Sequence, residues 1–193
     1  MKRNLIASIL AVIIITAFFG FAYPAVMTGF AQLAFPNKAD GSLIKENGKV
    51  VGSRLAAQGF TKPQYFHERL SAVNYNAAGT SFANYGPTSP NLQKQVSDQI
   101  KAILKLEGPY NPGLTVHDIP VDAVTTSASG IDPDISLAYA HLQANRIAAV
   151  RHLSLDRVNQ LIDENTDGRF IGFFGEPGVN VLELNIALDK ETQ

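Results

Sequence analysis

The sequence contains no cysteine, and its charges nearly cancel: 16 lysines and arginines stand against 17 aspartates and glutamates. Without cysteine there can be no disulfide, no thiolate metal site and no cysteine nucleophile. That lack fits any compartment, so it does not locate the protein. A net charge of −1 provides neither a basic field for nucleic acid nor a strongly acidic tail. No internal repeat or low-complexity segment stands out. Several catalytic signatures are also missing. There is no G-x-x-x-x-G-K-[ST] phosphate loop, no H-E-x-x-H pattern among His67, His117, His141 and His152, and no G-x-S-x-G elbow. Gly172, Gly175 and Gly178 do not have dinucleotide-fingerprint spacing.

One long apolar run dominates what is present. Residues 4–37 carry no charged side chain, and residues 5–22 (LIASILAVIIITAFFGFA) are polar only at Ser8 and Thr16. Eighteen helical residues span roughly 27 Å, close to the hydrocarbon thickness of a bilayer. Met1-Lys2-Arg3 ahead of such a run also describes a secretory signal peptide, with a conceivable cut after Ala22. The length of the run, and the return of hydrophobicity beyond Pro24 (AVMTGFAQLAF), favour an uncleaved anchor. Residues 1–36 then form a short cytoplasmic tail and a transmembrane helix, and residues 37–193 a single soluble domain. Positive charges flank the run on both sides. A short basic tail before a long domain is nevertheless the signal-anchor pattern, which places the domain outside the cytoplasm. Ala7 with Ala11, and Ala25 with Gly29, are small residues at helical spacing that would let another transmembrane helix approach closely. Proline at position 24 predicts a kink.

The remaining stretch of about 155 residues is long enough for one domain with a core of its own. Asn47-Gly48 between alternating flanks predicts a β-hairpin. Residues 59–90 are rich in aromatics and turn residues, and form either a functional loop region or a surface layer packed onto the domain. Ser89-Pro90 opens a helix with Leu92, Val96, Ile100, Ile103 and Leu104 on one stripe, stopped by Gly108. Residues 114–124 read as a strand broken by Pro120. A second helix is expected from Asp132-Pro133 and a third from Ser154 to about Gly168. RFIGFFG at residues 169–175 reads as a short buried strand or turn. The alternation in residues 182–188 (LELNIAL) argues for a half-buried strand, although Asn180 with Glu183 resembles a helix capping box. The mixture predicts an α+β domain.

Candidate chemistry is sparse. Ser127 and Ser129, beside Gly130 and Asp132, make a nucleophile loop or ordinary turn and cap chemistry, the second being favoured. Asp122, Asp132 and Asp134 make an acidic patch or local caps. Gln143 and Arg146 at i and i+3 could grip a phosphate or a partner, or form a solvated face. No metal site is implied.

Taken together, the motifs resemble the KdpC family, the small accessory subunit of the bacterial potassium-transporting P-type ATPase. The likeness runs through Tyr23-Pro24, Thr28-Gly29, Phe35-Pro36, Gly48-Lys-Val-Val-Gly-Ser53, Tyr65-Phe66 with Arg69, Gly86-Pro-Thr-Ser-Pro90 and Pro120-Val-Asp122. It continues through Ser127-Ala-Ser-Gly-Ile-Asp-Pro133, Gln143 with Arg146, and Gly172-Phe-Phe-Gly-Glu-Pro177 with Val179-Asn-Val-Leu182. Two departures are residues 78–85 (AGTSFANY), where the family has a Gly-rich turn, and Leu70, where it has proline. The resemblance implies a non-catalytic, single-pass subunit of the bacterial inner membrane. Its partners would be a potassium-channel-like membrane subunit, a P-type ATPase catalytic subunit and the lipid bilayer. It would assemble and stabilise the complex, and would either raise the ATP affinity of the catalytic subunit, as a catalytic chaperone sharing ATP with it, or cover the potassium entrance. Ser127, Ser129, Asp132, Gln143, Arg146, Glu176 and Asn180 become candidate partner or nucleotide contacts, with no catalytic residue among them. The rival reading is a signal-anchored, independent extracytoplasmic binding protein or hydrolase, built on residues 59–90 and 127–132.

Overall fold

The computed structural model describes residues 2–191. Two compact units divide between Val51 and Gly52.

The first unit is led by one continuous helix, α1 (Lys2–Ala34), whose 33 residues at 1.5 Å rise reach about 50 Å, longer than a bilayer core of about 30 Å. None of its side chains is buried, as suits a helix whose apolar surface faces lipid. At Phe18–Ala22 the helix widens into a π-turn, and the Tyr23 N–H donates to the Phe18 carbonyl. The turn lies immediately before Pro24, where proline lacks an N–H and crowds the i−4 carbonyl; a local π-turn absorbs that conflict. Phe35 leaves the helical region at φ −141°, and a helical turn, Pro36–Ala39, follows. The predicted hairpin forms: β1 (Leu43–Glu46) and β2 (Lys49–Ser53) flank Asn47 and Gly48, both at positive φ as a type I′ turn requires.

The second unit is α+β. Its longest helix, α2 (Pro90–Glu107), begins at the expected Ser-Pro and gives way at Gly108. The predicted strand at residues 114–124 is absent. Thr115 and Asp118 close a capping box on a 3-10 turn, Val116–Asp118, and a short helix α3 (Val121–Val124) follows Pro120. Val116 and Val121 face solvent, while Ala123 and Val124 are buried. The helix expected at Asp132 starts later. Asp134–Ile135 is strand β3, and Ser136 caps α4 (Leu137–Arg151) by accepting from the Tyr139 N–H. Ser154 caps α5 (Leu155–Glu164) in the same way, through the Arg157 N–H.

Two further strands, β4 (Thr166–Asp167) and β5 (Gly178–Asn180), complete a three-stranded antiparallel sheet of order β3-β5-β4, with Ile135 and Thr166 both opposite Val179. Residues 182–188 are helical rather than extended, within α6 (Val181–Glu191). Asn180 accepts from the Glu183 N–H, so the capping reading prevails. The buried positions 181, 182, 184, 185 and 188 follow a helical period rather than alternation. The core is built where α2, α4, α5 and α6 meet the central strand, from Ile103, Tyr139, Ile147, Val158, Leu161, Ile162, Val179, Leu184 and Leu188.

Candidate functional site

Gln143 and Arg146 are not on a solvated face. Both are buried on α4. Arg146 Nε donates to Glu107 Oε1 at 2.8 Å, Nη2 to Gln143 Oε1 at 2.8 Å, and Nη1 to the carbonyls of Pro63 and Tyr65. Gln143 takes the His67 N–H at 2.7 Å and returns its own amide to the His67 carbonyl at 3.0 Å. Asn185 on α6 does the same for Phe66, at 2.8 and 3.0 Å. Two side-chain amides thus stand in for a neighbouring strand along residues 63–67, a segment with no strand of its own to pair with. Buried backbone groups demand partners, and here helices supply them. The Phe66 ring, bracketed by these bonds, is fully buried. This end of residues 59–90 is therefore a layer packed onto the domain.

Electrostatics follow from that burial. Desolvation pushes the Glu107 carboxyl up while the Arg146 guanidinium pulls it down. Glu107 Oε2 has no hydrogen-bond partner among the described residues. His67 is pushed down by burial first and by the Arg146 charge second. Burial likewise raises Glu68, against the N–H groups of Gln58 and Gly59 that its carboxylate accepts.

The turn at residues 127–132 is turn chemistry. Ser127, buried, accepts from the Gly130 N–H at 2.9 Å, and Ser129, exposed, accepts from the Ile131 N–H at 3.2 Å. Gly130 sits at φ +75°, and a Cβ there would lie 2.8 Å from the Ser81 carbonyl oxygen, so conformation and space both call for glycine. Ser71 Oγ donates to the Gly130 carbonyl at 2.6 Å. Asp132 pairs with Arg69 at 2.9 Å and takes the Asp134 N–H, which makes it a bracket across the turn rather than a helix cap.

Asn180 is buried, and its amide donates to Asp134 Oδ1 and to the Arg54 carbonyl, both at 3.0 Å. Asp134 is raised, chiefly by burial. Glu176 is exposed and paired with Arg169 at 2.7 Å. A cleft of about 550 Å³ brings Arg69, Asp122, Asp132, Asp134, Asp167 and Glu176 to one surface, the acidic patch raised by the sequence. Most of these carboxylates already have partners: Asp122 holds the Ser136 backbone and hydroxyl, and Asp167 pairs with Arg54. Among the described residues no cluster of three or more His, Asp or Glu side chains is arranged to hold a metal. The structure thus gathers Asp132, Asp134 and Glu176 at one cleft with Asn180 behind Asp134, and leaves Gln143 and Arg146 in the interior. In α1, Ala7, Ala11, Ala25 and Gly29 are exposed, and nothing lies within 4 Å of a Cβ placed on Gly29. The π-turn between the two pairs resets the helix phase, so each pair defines a face of its own.

The family profile described as "K+-transporting ATPase, c chain" matches residues 5–190. The chain belongs to the KdpC family. A Potassium-transporting ATPase KdpC subunit of Burkholderia cenocepacia is 49% identical over 193 residues, covering 98% of this chain and 97% of that protein. The KdpC subunit of Koribacter versatilis is 44% identical over 191 residues, covering 98% and 95%. That of Herpetosiphon aurantiacus is 49% identical over 183 residues, covering 93% and 92%. Similarity at this level and coverage makes the chain a KdpC subunit of a potassium-transporting ATPase, and its long apolar N-terminal helix fits a single-pass protein of a membrane complex.

Sequence reading missed Glu107, Arg69 and Asn185 as members of the polar networks. Glu107 had a signal: it continues the apolar stripe of α2 from Ile100, Ile103 and Leu104, and a charge on a buried stripe needs a partner.

Proposed function

We propose that this KdpC subunit is non-catalytic. It assembles and stabilises the potassium-transporting complex, bound through α1 to a channel-like membrane subunit and a P-type catalytic subunit. Its N-terminus is cytoplasmic, and its second unit lies outside the inner membrane, covering the potassium entrance. The observation that carries this reading is the state of the buried polar groups. Ser127, Gln143, Arg146, Asn180 and Asn185 are each spent on backbone groups or on neighbouring side chains, so none of these five is placed as an activated nucleophile or as half of an acid–base pair. The same burial argues against Gln143 and Arg146 gripping ATP. A catalytic-chaperone role, with higher ATP affinity in the catalytic subunit, would then act through the assembled partners.

Omitting this subunit from the reconstituted complex separates the two roles. Loss of intact complex, or a changed potassium dependence of ATP hydrolysis at unchanged KM for ATP, supports assembly and entrance-covering. A raised KM for ATP with unaltered assembly and potassium response would overturn that reading in favour of the chaperone role.

A further inference from the structure

The connection from β4 to β5 was expected to be buried, and it is the reverse. Phe170, Ile171, Phe173 and Phe174 are 72, 69, 64 and 57% exposed, four large apolar side chains in five positions. The tip is built rather than loose. The Phe170 N–H donates to the Phe174 carbonyl at 2.8 Å and the Phe174 N–H returns to Phe170 at 3.0 Å. The N–H groups of Gly172 and Phe173 donate to Arg169 and Phe170, at 3.0 and 3.4 Å. Ile171 and Gly172 turn the chain at positive φ. At the base, Arg169 and Glu176 pair at 2.7 Å, and β4 and β5 are locked by the sheet.

We propose that this tip is a membrane-contacting finger, which lays its four apolar side chains into the headgroup–acyl boundary of the bilayer that holds α1. The proposal rests on the membrane-anchored reading of α1 and on no particular partner subunit. Three observations favour lipid over a protein groove. The tip satisfies four of its own backbone N–H groups, which suits a layer where hydrogen-bond partners grow scarce toward the acyl chains, whereas a protein groove can supply missing partners itself. No charge lies between Arg169 and Glu176, and those two neutralise each other at the base, where the finger would leave the apolar layer. The anchor holds the second unit at the membrane, so an interfacial contact too weak to recruit a free protein still forms at high effective concentration.

The sequence has no tryptophan, so Phe173→Trp gives the full chain a single indole on an exposed position. Phe170→Trp is the companion variant should the first distort the turn. Each is placed in vesicles of phosphatidylcholine and phosphatidylglycerol, with and without brominated acyl chains, alone and within the complete complex. Emission that is blue-shifted, protected from aqueous iodide and largely lost in the brominated vesicles is the expected result. Emission of a water-exposed indole, quenched by iodide and indifferent to bromine, overturns the proposal. So does an indole that is shielded from iodide in the complex and untouched by brominated lipid, because a partner protein then covers the tip.

Discussion

Arg146 Nε meets Glu107 Oε1 at 2.8 Å, with the two side chains 0 and 2% exposed. This ion pair ties α4 to α2, while Nη1 of the guanidinium holds the carbonyls of residues 63 and 65 and Nη2 holds Gln143. A buried pair need not outperform apolar packing, but leaving one partner behind is costly. Arg146→Met therefore lowers the unfolding free energy of the second unit by about 3–5 kcal/mol. Adding Glu107→Leu to it recovers part of the loss. Denaturant titration of the full chain in detergent measures both. A single mutant as stable as the parent would show that the pair does not hold the helices.

His67 gives stability a pH dependence of known sign. Its folded-state pKa is lowered, by burial first and by the Arg146 charge second, so protonation favours the unfolded chain. The stability from neutral His67 is complete above the ordinary histidine value of about 6.5 and is lost as pH falls through it toward the lowered folded value. Glu68 and Glu107, both raised, act in the opposite direction at lower pH, so the comparison must be differential. Between pH 7.5 and 5.5 (a window of about one unit either side of the ordinary value), the denaturant midpoint of the parent falls relative to that of His67→Gln. Parallel profiles would remove His67 as the cause.

The serine turn separates subunit from hydrolase. Ser127→Ala loses a buried acceptor for the Gly130 N–H and costs about 1 kcal/mol. Ser129→Ala, at an exposed position, costs less. On the proposed non-catalytic reading, neither substitution removes an enzymatic activity from the chain alone. An intrinsic hydrolase rate of the isolated protein that vanishes in Ser127→Ala would contradict this.

In α1, Ala25→Leu and Gly29→Leu place bulk where close helix approach needs small residues. Both reduce recovery of partner subunits and leave the unfolding of the second unit unchanged. Unaltered co-purification in both variants would mean that this face carries no partner helix.

What the sequence made legible was local. Asn47-Gly48 determined a hairpin, Ser89-Pro90 and Gly108 bounded a helix, and Ser154 capped another, because each of those signals acts on its immediate neighbours. The errors came from side chains whose partners are remote in the chain. The alternation of residues 182–188 reads as a strand only if Asn185 faces outward, and its amide in fact points inward to Phe66, 119 residues away. Arg146 and Gln143 looked solvated because their acceptors lie on residues 63–67 and 107. Phe170, Ile171, Phe173 and Phe174 looked buried on hydrophobicity alone, which says nothing about whether the surface that covers a side chain belongs to the same molecule.

The central claim is that this chain works as part of a potassium-transporting assembly, and purification tests it most directly. A tag after Gln193, mild detergent extraction and potassium-starved native cells are the conditions. The account predicts that a P-type ATPase subunit and a channel-like membrane subunit co-purify with the chain in fixed ratio. A protein that elutes alone, from an extract in which other membrane complexes remain intact, would contradict it.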